Sequence, residues 1–157
     1  MEKPDEPTPP TDAAKVLKEL KSLPSLEDTK IQVQSAMDQI TTAASKIIPT
    51  IVWETGNNAE TDSCQRPYEQ TDGKRYFLPN RFAENVTVSE NDWSEILNVA
   101  KASAAKIGAT DVQVFHDQPG KHDVGFYGPT GIYIKVGYMG NLGVSGYTGC
   151  RLSGDKK

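Results

Sequence analysis

The most informative stretch of the chain is residues 110–150, TDVQVFHDQPGKHDVGFYGPTGIYIKVGYMGNLGVSGYTGC. Apolar residues alternate with polar ones along most of this stretch, and alternation with a period of two is typical of β-strands. Turn-forming pairs containing glycine or proline interrupt the alternation three times. The pattern predicts four strands: Thr110–His116, Asp123–Tyr127, Gly131–Tyr138 and Gly143–Cys150. Because the connections are short, the strands form an antiparallel meander.

Alternation also divides the meander into two faces. One parity is almost entirely apolar and is expected to pack against helices: Val112, Val114, Val124, Phe126, Ile132, Ile134, Val136 and Val144. The opposite parity carries the aromatic residues Phe115, Tyr127, Tyr133 and Tyr147, which are therefore expected on the uncovered face. An exposed aromatic patch of this kind is a candidate binding face. Aromatic side chains on neighbouring strands also stabilise a sheet without binding anything, and this alternative stays open.

Upstream of the meander, the apolar residues recur every three or four positions, which predicts helices. A short helix is expected over Ala13–Ser22. A long amphipathic helix follows Ser25, whose side chain is suited to cap it, and ends at Pro49. A third helix begins after the capping residue Ser89 and ends at Gly108.

Short β-prone runs lie between the second and third helices. One run covers Thr50–Glu54, and Tyr76–Val88 reads as one or two strands, whereas Thr55–Gly73 is polar and is expected to be a surface loop. The element order predicts an α+β two-layer sandwich, an antiparallel sheet covered on one face by two main helices. The body, residues 13–153, is expected to be a single domain.

The first twelve residues differ from the rest in composition. They contain four prolines, four acids and one lysine, and they lack aromatic and branched aliphatic residues. Such a segment buries too little apolar surface to offset its ordering entropy, so residues 1–12 are expected to form a disordered, proline-rich tether. The tether has a net charge of −3, which leaves −1 of the total −4 for the body. A nearly neutral body gives no electrostatic footprint for nucleic acid.

Two cysteines, Cys64 and Cys150, and two histidines, His116 and His122, are the remaining candidates for chemistry. The cysteines are compatible with one disulfide in an oxidising compartment, or with two buried free thiols in a reducing one. The histidines flank a short turn, and a metal-dependent enzyme using them with Asp123 is the catalytic alternative. Adjacent positions on a strand point to opposite faces, so neighbouring residues such as His122 and Asp123 are not expected to reach the same metal ion. No other catalytic motif is present, so no enzyme activity and no cofactor are expected.

From about Ser25 to Leu152 the chain resembles the LppA-like lipoproteins of mycobacteria. The landmarks are Ile47-Ile48-Pro49, Trp53, Cys64, the helix end Lys106-Ile107-Gly108-Ala109-Thr110, the pair Asp123-Val124 and Thr148-Gly149-Cys150. The resemblance implies export, acylation of a cysteine upstream of the tether and a Cys64–Cys150 bridge. The given sequence contains no lipobox cysteine, so the lipid anchor is implied by the resemblance alone.

This resemblance leads to a functional expectation. The chain is expected to be the extracytoplasmic domain of an envelope lipoprotein anchored to the cell membrane. Its role is expected to be non-enzymatic, either binding an envelope lipid, glycan or protein ligand or acting as an accessory module.

Overall fold

The computed structural model describes residues 7–56 and 59–157. The described residues form three helices and eight strands. The helices are α1 Pro10–Ser22, α2 Leu26–Ile47 and α3 Glu90–Lys106. The strands are β1 Glu54–Thr55, β2 Glu60–Ser63, β3 Lys74–Phe77, β4 Arg81–Ala83, β5 Asp111–Gln118, β6 Lys121–Tyr127, β7 Tyr133–Tyr138 and β8 Leu142–Tyr147.

All eight strands belong to one antiparallel sheet, which confirms the predicted α+β class and the meander. The order along the main path is β1-β4-β8-β7-β6-β5, and the β2–β3 hairpin joins β8 through β3. Helix α2 packs on β8 and β3, and α3 packs on β7 and β6. The described helices leave the opposite side of the sheet uncovered, and we call it the open face.

Both main helices begin as predicted, because a serine side chain caps each of them. Ser25 accepts a hydrogen bond from the backbone N–H of Asp28, and Ser89 accepts one from that of Asp92. Each bond satisfies a donor that the first turn of a helix leaves without a partner. The apolar faces of the two helices meet the apolar parity of the meander in a core that includes Met37, Ile40, Ile96, Phe126, Ile134 and Val136.

A smaller apolar cluster lies beneath α1. Leu20 packs against Leu152 and the Cys64–Cys150 disulfide, whose two cysteines are 86 positions apart in sequence. The described chain has no free cysteine, so the alternative of two buried thiols is wrong and the bridge implied by the resemblance is confirmed.

The N-terminal segment departs from its predicted form where it is described. Helix α1 begins at Pro10, inside the segment expected to be a tether, and Thr8 is buried. The Thr8 hydroxyl hydrogen-bonds the carboxylate of Glu69, and its carbonyl accepts a bond from Gln70. These partners lie far along the chain, so composition alone could not reveal them. Residues 1–6 of the predicted tether lie outside the described residues.

Two further expectations were wrong. Thr55–Gly73 was expected to be a surface loop, yet it contains β2, whose four residues are all exposed and pair with β3. Val112 and Val114 were expected under the helices, but they are 47% and 56% exposed. They lie on the helix side of the sheet, opposite Phe126 and Val124, but β5 is the edge strand and extends past the helices.

None of the described helices is both long enough and apolar enough to span a membrane.

Candidate functional site

Three parallel rows of side chains cross the open face, because cross-strand partners in an antiparallel sheet point to the same side. The first row is aromatic, the second contains Lys135 and Ser145, and the third is centred on two glycines. Successive rows are two residues apart along each strand, so the first and third are separated by about 13 Å.

The aromatic row combines one residue from each of four neighbouring strands. Register places Phe77 opposite Tyr147, Tyr147 opposite Tyr133, and Tyr133 opposite Tyr127. The rings of Tyr133 and Tyr147 stack with centroids 5.4 Å apart, and Phe77 meets Tyr147 edge to face at 4.9 Å. Three of the four predicted aromatic residues therefore lie side by side.

Phe115 lies outside this row. It occupies a bulge in β5, since the pairing shifts between Val114 and His116. Its ring packs instead against the Lys135 ammonium, 5.0 Å from the ring centroid, in the second row. Phe77 was missed by sequence reasoning, because its strand precedes the meander by more than thirty residues and only tertiary pairing brings it to the row.

Tyr133, at the centre of the aromatic row, packs closely against β6. The Tyr133 hydroxyl lies over Gly125, where an added Cβ would come within 2.4 Å of it. Burial is the main cause that raises the pKa of Tyr133, and the nearby carboxylate of Asp123 adds to it. The hydroxyl therefore remains protonated through the physiological range and can donate a hydrogen bond.

The third row forms the floor of a groove of about 610 Å³. Gly137 and Gly143 are cross-strand partners, and Phe82 and Asp123 flank them on the neighbouring strands. A Cβ added at Gly143 would meet no atom within 4 Å, which shows that the floor is open at that point. The row ends at His116, which the bulge in β5 brings opposite Asp123.

The groove contains one unusual polar group. Asp123 Oδ2 is 3.1 Å from Lys135 Nζ, but Asp123 Oδ1 is buried and has no hydrogen-bond partner among the described residues. Buried carboxylate oxygens without partners are rare, since the lost hydration costs free energy. Oδ1 leans over Gly137, where an added Cβ would lie 3.2 Å from it.

The predicted histidines do not converge on one site. His116 lies on the open face, whereas His122 pairs with Asp117 across the hairpin and points to the helix side. Within residues 7–56 and 59–157, no group of three or more histidine, cysteine or acidic side chains is arranged to hold a metal ion. The catalytic alternative, a metal-dependent enzyme using both histidines, is therefore wrong for the part of the chain described.

His122 instead joins α3 to the β5–β6 hairpin. Its ring is buried and stacks on Trp93 with centroids 4.7 Å apart. Nε2 lies 2.9 Å from Glu90 Oε1, and Nδ1 lies 3.2 Å from Asp117 Oδ1. Glu90 also accepts a hydrogen bond from the backbone N–H of Gly120 at the hairpin turn. This contact holds the end of the hairpin that forms one wall of the groove.

A pH dependence follows from the position of Glu90. The hydrogen bond from His122, followed by that from Gly120, lowers the pKa of Glu90 from 4.5. A carboxyl whose pKa is lower in the folded state stabilises the protein above its unfolded pKa, and this stabilisation disappears as the pH falls through the folded value. We therefore expect Glu90→Gln to lower Tm at neutral pH, with the difference from the parent shrinking below pH 4.5. Thermal melts from pH 7 to pH 3 measure it.

Glu95→Gln provides the matched control, because Glu95 is an exposed residue of the same helix. Its Tm difference from the parent should be small at every pH. A Glu90→Gln difference that stayed constant across the titration would contradict the role assigned to the carboxylate.

Three comparisons relate the chain to known proteins. A family model described as LppA, a lipoprotein confined to pathogenic Mycobacterium, matches residues 1–154. The crystal structure of the LppA lipoprotein from Mycobacterium tuberculosis superposes with a TM-score of 0.69 at 18% identity, covering 92% of this chain and 89% of that one. A DUF4853 family protein from Actinomyces odontolyticus gives a TM-score of 0.55 at 12% identity, covering 83% and 71%. No curated protein matches.

Proposed function

The chain belongs to the LppA family of mycobacterial lipoproteins. From this premise we propose that it is an accessory module of the envelope whose open face binds a ligand without catalysing a reaction on it. As a member of a lipoprotein family, it is a membrane-anchored envelope protein. The observation that carries the proposal is the groove on the open face, which is lined by charged and aromatic side chains and left uncovered by the helices.

We further propose that the domain faces the extracytoplasmic side. The Cys64–Cys150 bridge supports this orientation, because disulfides persist in oxidising compartments and are rare in the cytosol. The membrane partner is then reached through a lipid anchor upstream of the given sequence.

The open face is suited to binding for two reasons. Its aromatic row supplies a wide apolar surface whose rings are already fixed by stacking, so little side-chain entropy is lost when a ligand contacts it. The groove beside the row supplies polar groups that can orient the ligand, including Asp123 and Lys135. Apolar surface with a few placed polar groups is the usual composition of a ligand site.

Co-sedimentation with an insoluble mycobacterial cell-envelope fraction tests this proposal. We expect the full chain to sediment with the fraction, and a Tyr133→Ser/Tyr147→Ser variant to remain in the supernatant. Ile31→Ser is the matched control, because Ile31 is 68% exposed on α2 and lies off the open face. It should sediment like the parent.

Thermal melts must accompany the test, since the two tyrosines also stabilise the sheet. The proposal fails if a folded Tyr133→Ser/Tyr147→Ser variant sediments as well as the parent. It also fails if the parent does not sediment, in which case an accessory lipoprotein without a ligand site is the better description.

A further inference from the structure

We infer that the edge strand β5 pairs with β5 of a second copy of this chain, so that two sheets join into one across a two-fold axis. This pairing is independent of the ligand proposed for the open face. Three features carry it: the exposure of β5, the self-complementary sequence of Thr110–Val114 and the low net charge of the domain.

Strand β5 has backbone groups that no described strand pairs with. Its eight residues are all exposed, and among the described strands only β6 is its neighbour. Strands in an antiparallel sheet direct their backbone N–H and C=O groups to both sides, so the outer side of an edge strand is a template for another strand. Val112 and Val114, both about half-exposed, place apolar side chains beside this template.

The other outer strands of the sheet are protected against such pairing. Strand β1 has only two residues, and the four residues of β2 include the acids Glu60 and Asp62. Short edge strands and charged side chains are usual protections of a sheet edge. Strand β5 is longer and contains neither lysine nor proline. One molecule therefore offers a single pairing edge, and association through it closes at a dimer.

The edge is complementary to itself when two copies run antiparallel. If the axis passes beside Val112, this valine lies opposite its copy and Thr110 lies opposite Val114. By alternation these three β-branched side chains share the helix side, and cross-strand pairs of such residues stabilise a sheet. On the open face Asp111 lies opposite Gln113, whose amide can donate a hydrogen bond to the carboxylate. Like charges do not lie opposite each other in this register.

The bulge at Phe115 favours this register over its neighbours. Pairing of β5 becomes irregular after Val114. An axis centred further along the strand, on Gln113 or Val114, would draw the bulged residue into the new ladder. An axis on Val112 keeps the whole ladder on the regular side of the bulge.

Helix α3 leaves room for the second copy. It packs on β7 and β6, and β5 lies beyond it. At a strand spacing of about 4.8 Å the two α3 helices would stand roughly 20 Å apart, about twice the diameter of a helix. Because the axis is perpendicular to the sheet, the open faces of both copies point the same way.

Charge opposes this association only weakly. The body of the chain carries a net charge of −1, and self-repulsion becomes important only when the net charge is far from zero. Membership of a lipoprotein family also places copies on one membrane, which raises their effective concentration. A weak contact between short strands is therefore sufficient.

Sedimentation equilibrium of the full chain tests the pairing. We expect a monomer–dimer equilibrium with a Kd of about 0.1 mM, so that the chain is mainly monomeric at about 10 µM and mainly dimeric at about 1 mM. In ¹⁵N spectra, the backbone amides of Asp111–Val114 should shift over the same range of concentration.

Oppositely charged variants locate the axis. Val112→Lys and Val112→Glu each place like charges directly opposite, so each protein alone should stay monomeric at about 1 mM. An equimolar mixture places lysine opposite glutamate and should form the dimer again. Val52→Lys is the matched control, because Val52 is 74% exposed and lies outside β5. It should dimerise like the parent.

Circular dichroism checks that the variants are folded, and the mixture needs no further substitution to show recovery. Any of three results would overturn the inference: a parent that stays monomeric at about 1 mM, a folded Val112→Lys protein that dimerises like the parent, or a mixture that associates no better than its components. The second result would assign the dimer to another surface. In none of these cases does the sedimentation test of the open face change its meaning.

Discussion

Replacing both cysteines in a Cys64→Ala/Cys150→Ala variant is expected to lower the free energy of unfolding by about 4 kcal/mol. The bridge joins residues 86 positions apart, so its loss frees a long loop in the unfolded chain. The site is also tightly packed, since a Cβ at Gly73 would lie 2.5 Å from Cys150 Sγ. Urea unfolding, followed by circular dichroism, measures the change.

Reduction is the matched control for this variant. A reductant should destabilise the parent by a similar amount and leave the double variant unaffected, because only the parent has a bond to break. Hydrogen exchange should also accelerate at the amide of Leu20, whose side chain packs against the bridge. Equal unfolding free energies for parent and variant would show that the bridge contributes nothing to stability.

Gly146→Val is expected to destabilise the protein by about 3 kcal/mol, the upper end of the usual cost of overpacking a core. Gly146 lies on the helix side of β8, directly beneath α2. An added Cβ would come within 2.6 Å of Val33 Cγ1 and 3.0 Å of Met37 Sδ, so the larger valine must push α2 away from the sheet.

Gly143→Val is the control on the same strand. Gly143 faces the open side, where an added Cβ meets nothing within 4 Å, so valine should leave stability unchanged or raise it by about 0.5 kcal/mol. Urea unfolding of both variants measures the contrast. Similar losses for the two would contradict the assignment of the faces of β8.

Alternation along the chain predicts which side of the sheet a residue occupies, and little more. It placed Ile134 and Val136 in the core correctly, and Tyr133 and Tyr147 on the opposite side. It could not show how far the helices extend sideways, so the exposure of Val112 was not predicted. That exposure depends on β5 being the edge strand.

The groove was harder to predict than the aromatic residues. Its floor is made by glycines, and a missing side chain leaves no signal in an alternating pattern until register shows that Gly137 and Gly143 are partners. Its wall includes Phe82, from a short strand outside the meander. The bulge that brings His116 to the groove inserts one residue into β5. No particular residue type marks a bulge of this kind in the sequence.

The position of α1 determines where a mechanical load enters the domain. A pull applied at the N-terminal end of the described chain reaches α1 first, and α1 is held by the packing of Leu20 on the Cys64–Cys150 bridge. For a pull between the two ends of the described chain, the covalent bridge carries the tension from Cys64 to Cys150, so residues 65–149, which include the meander, bear none of it. The groove lies within those residues and would therefore keep its shape while the domain is pulled.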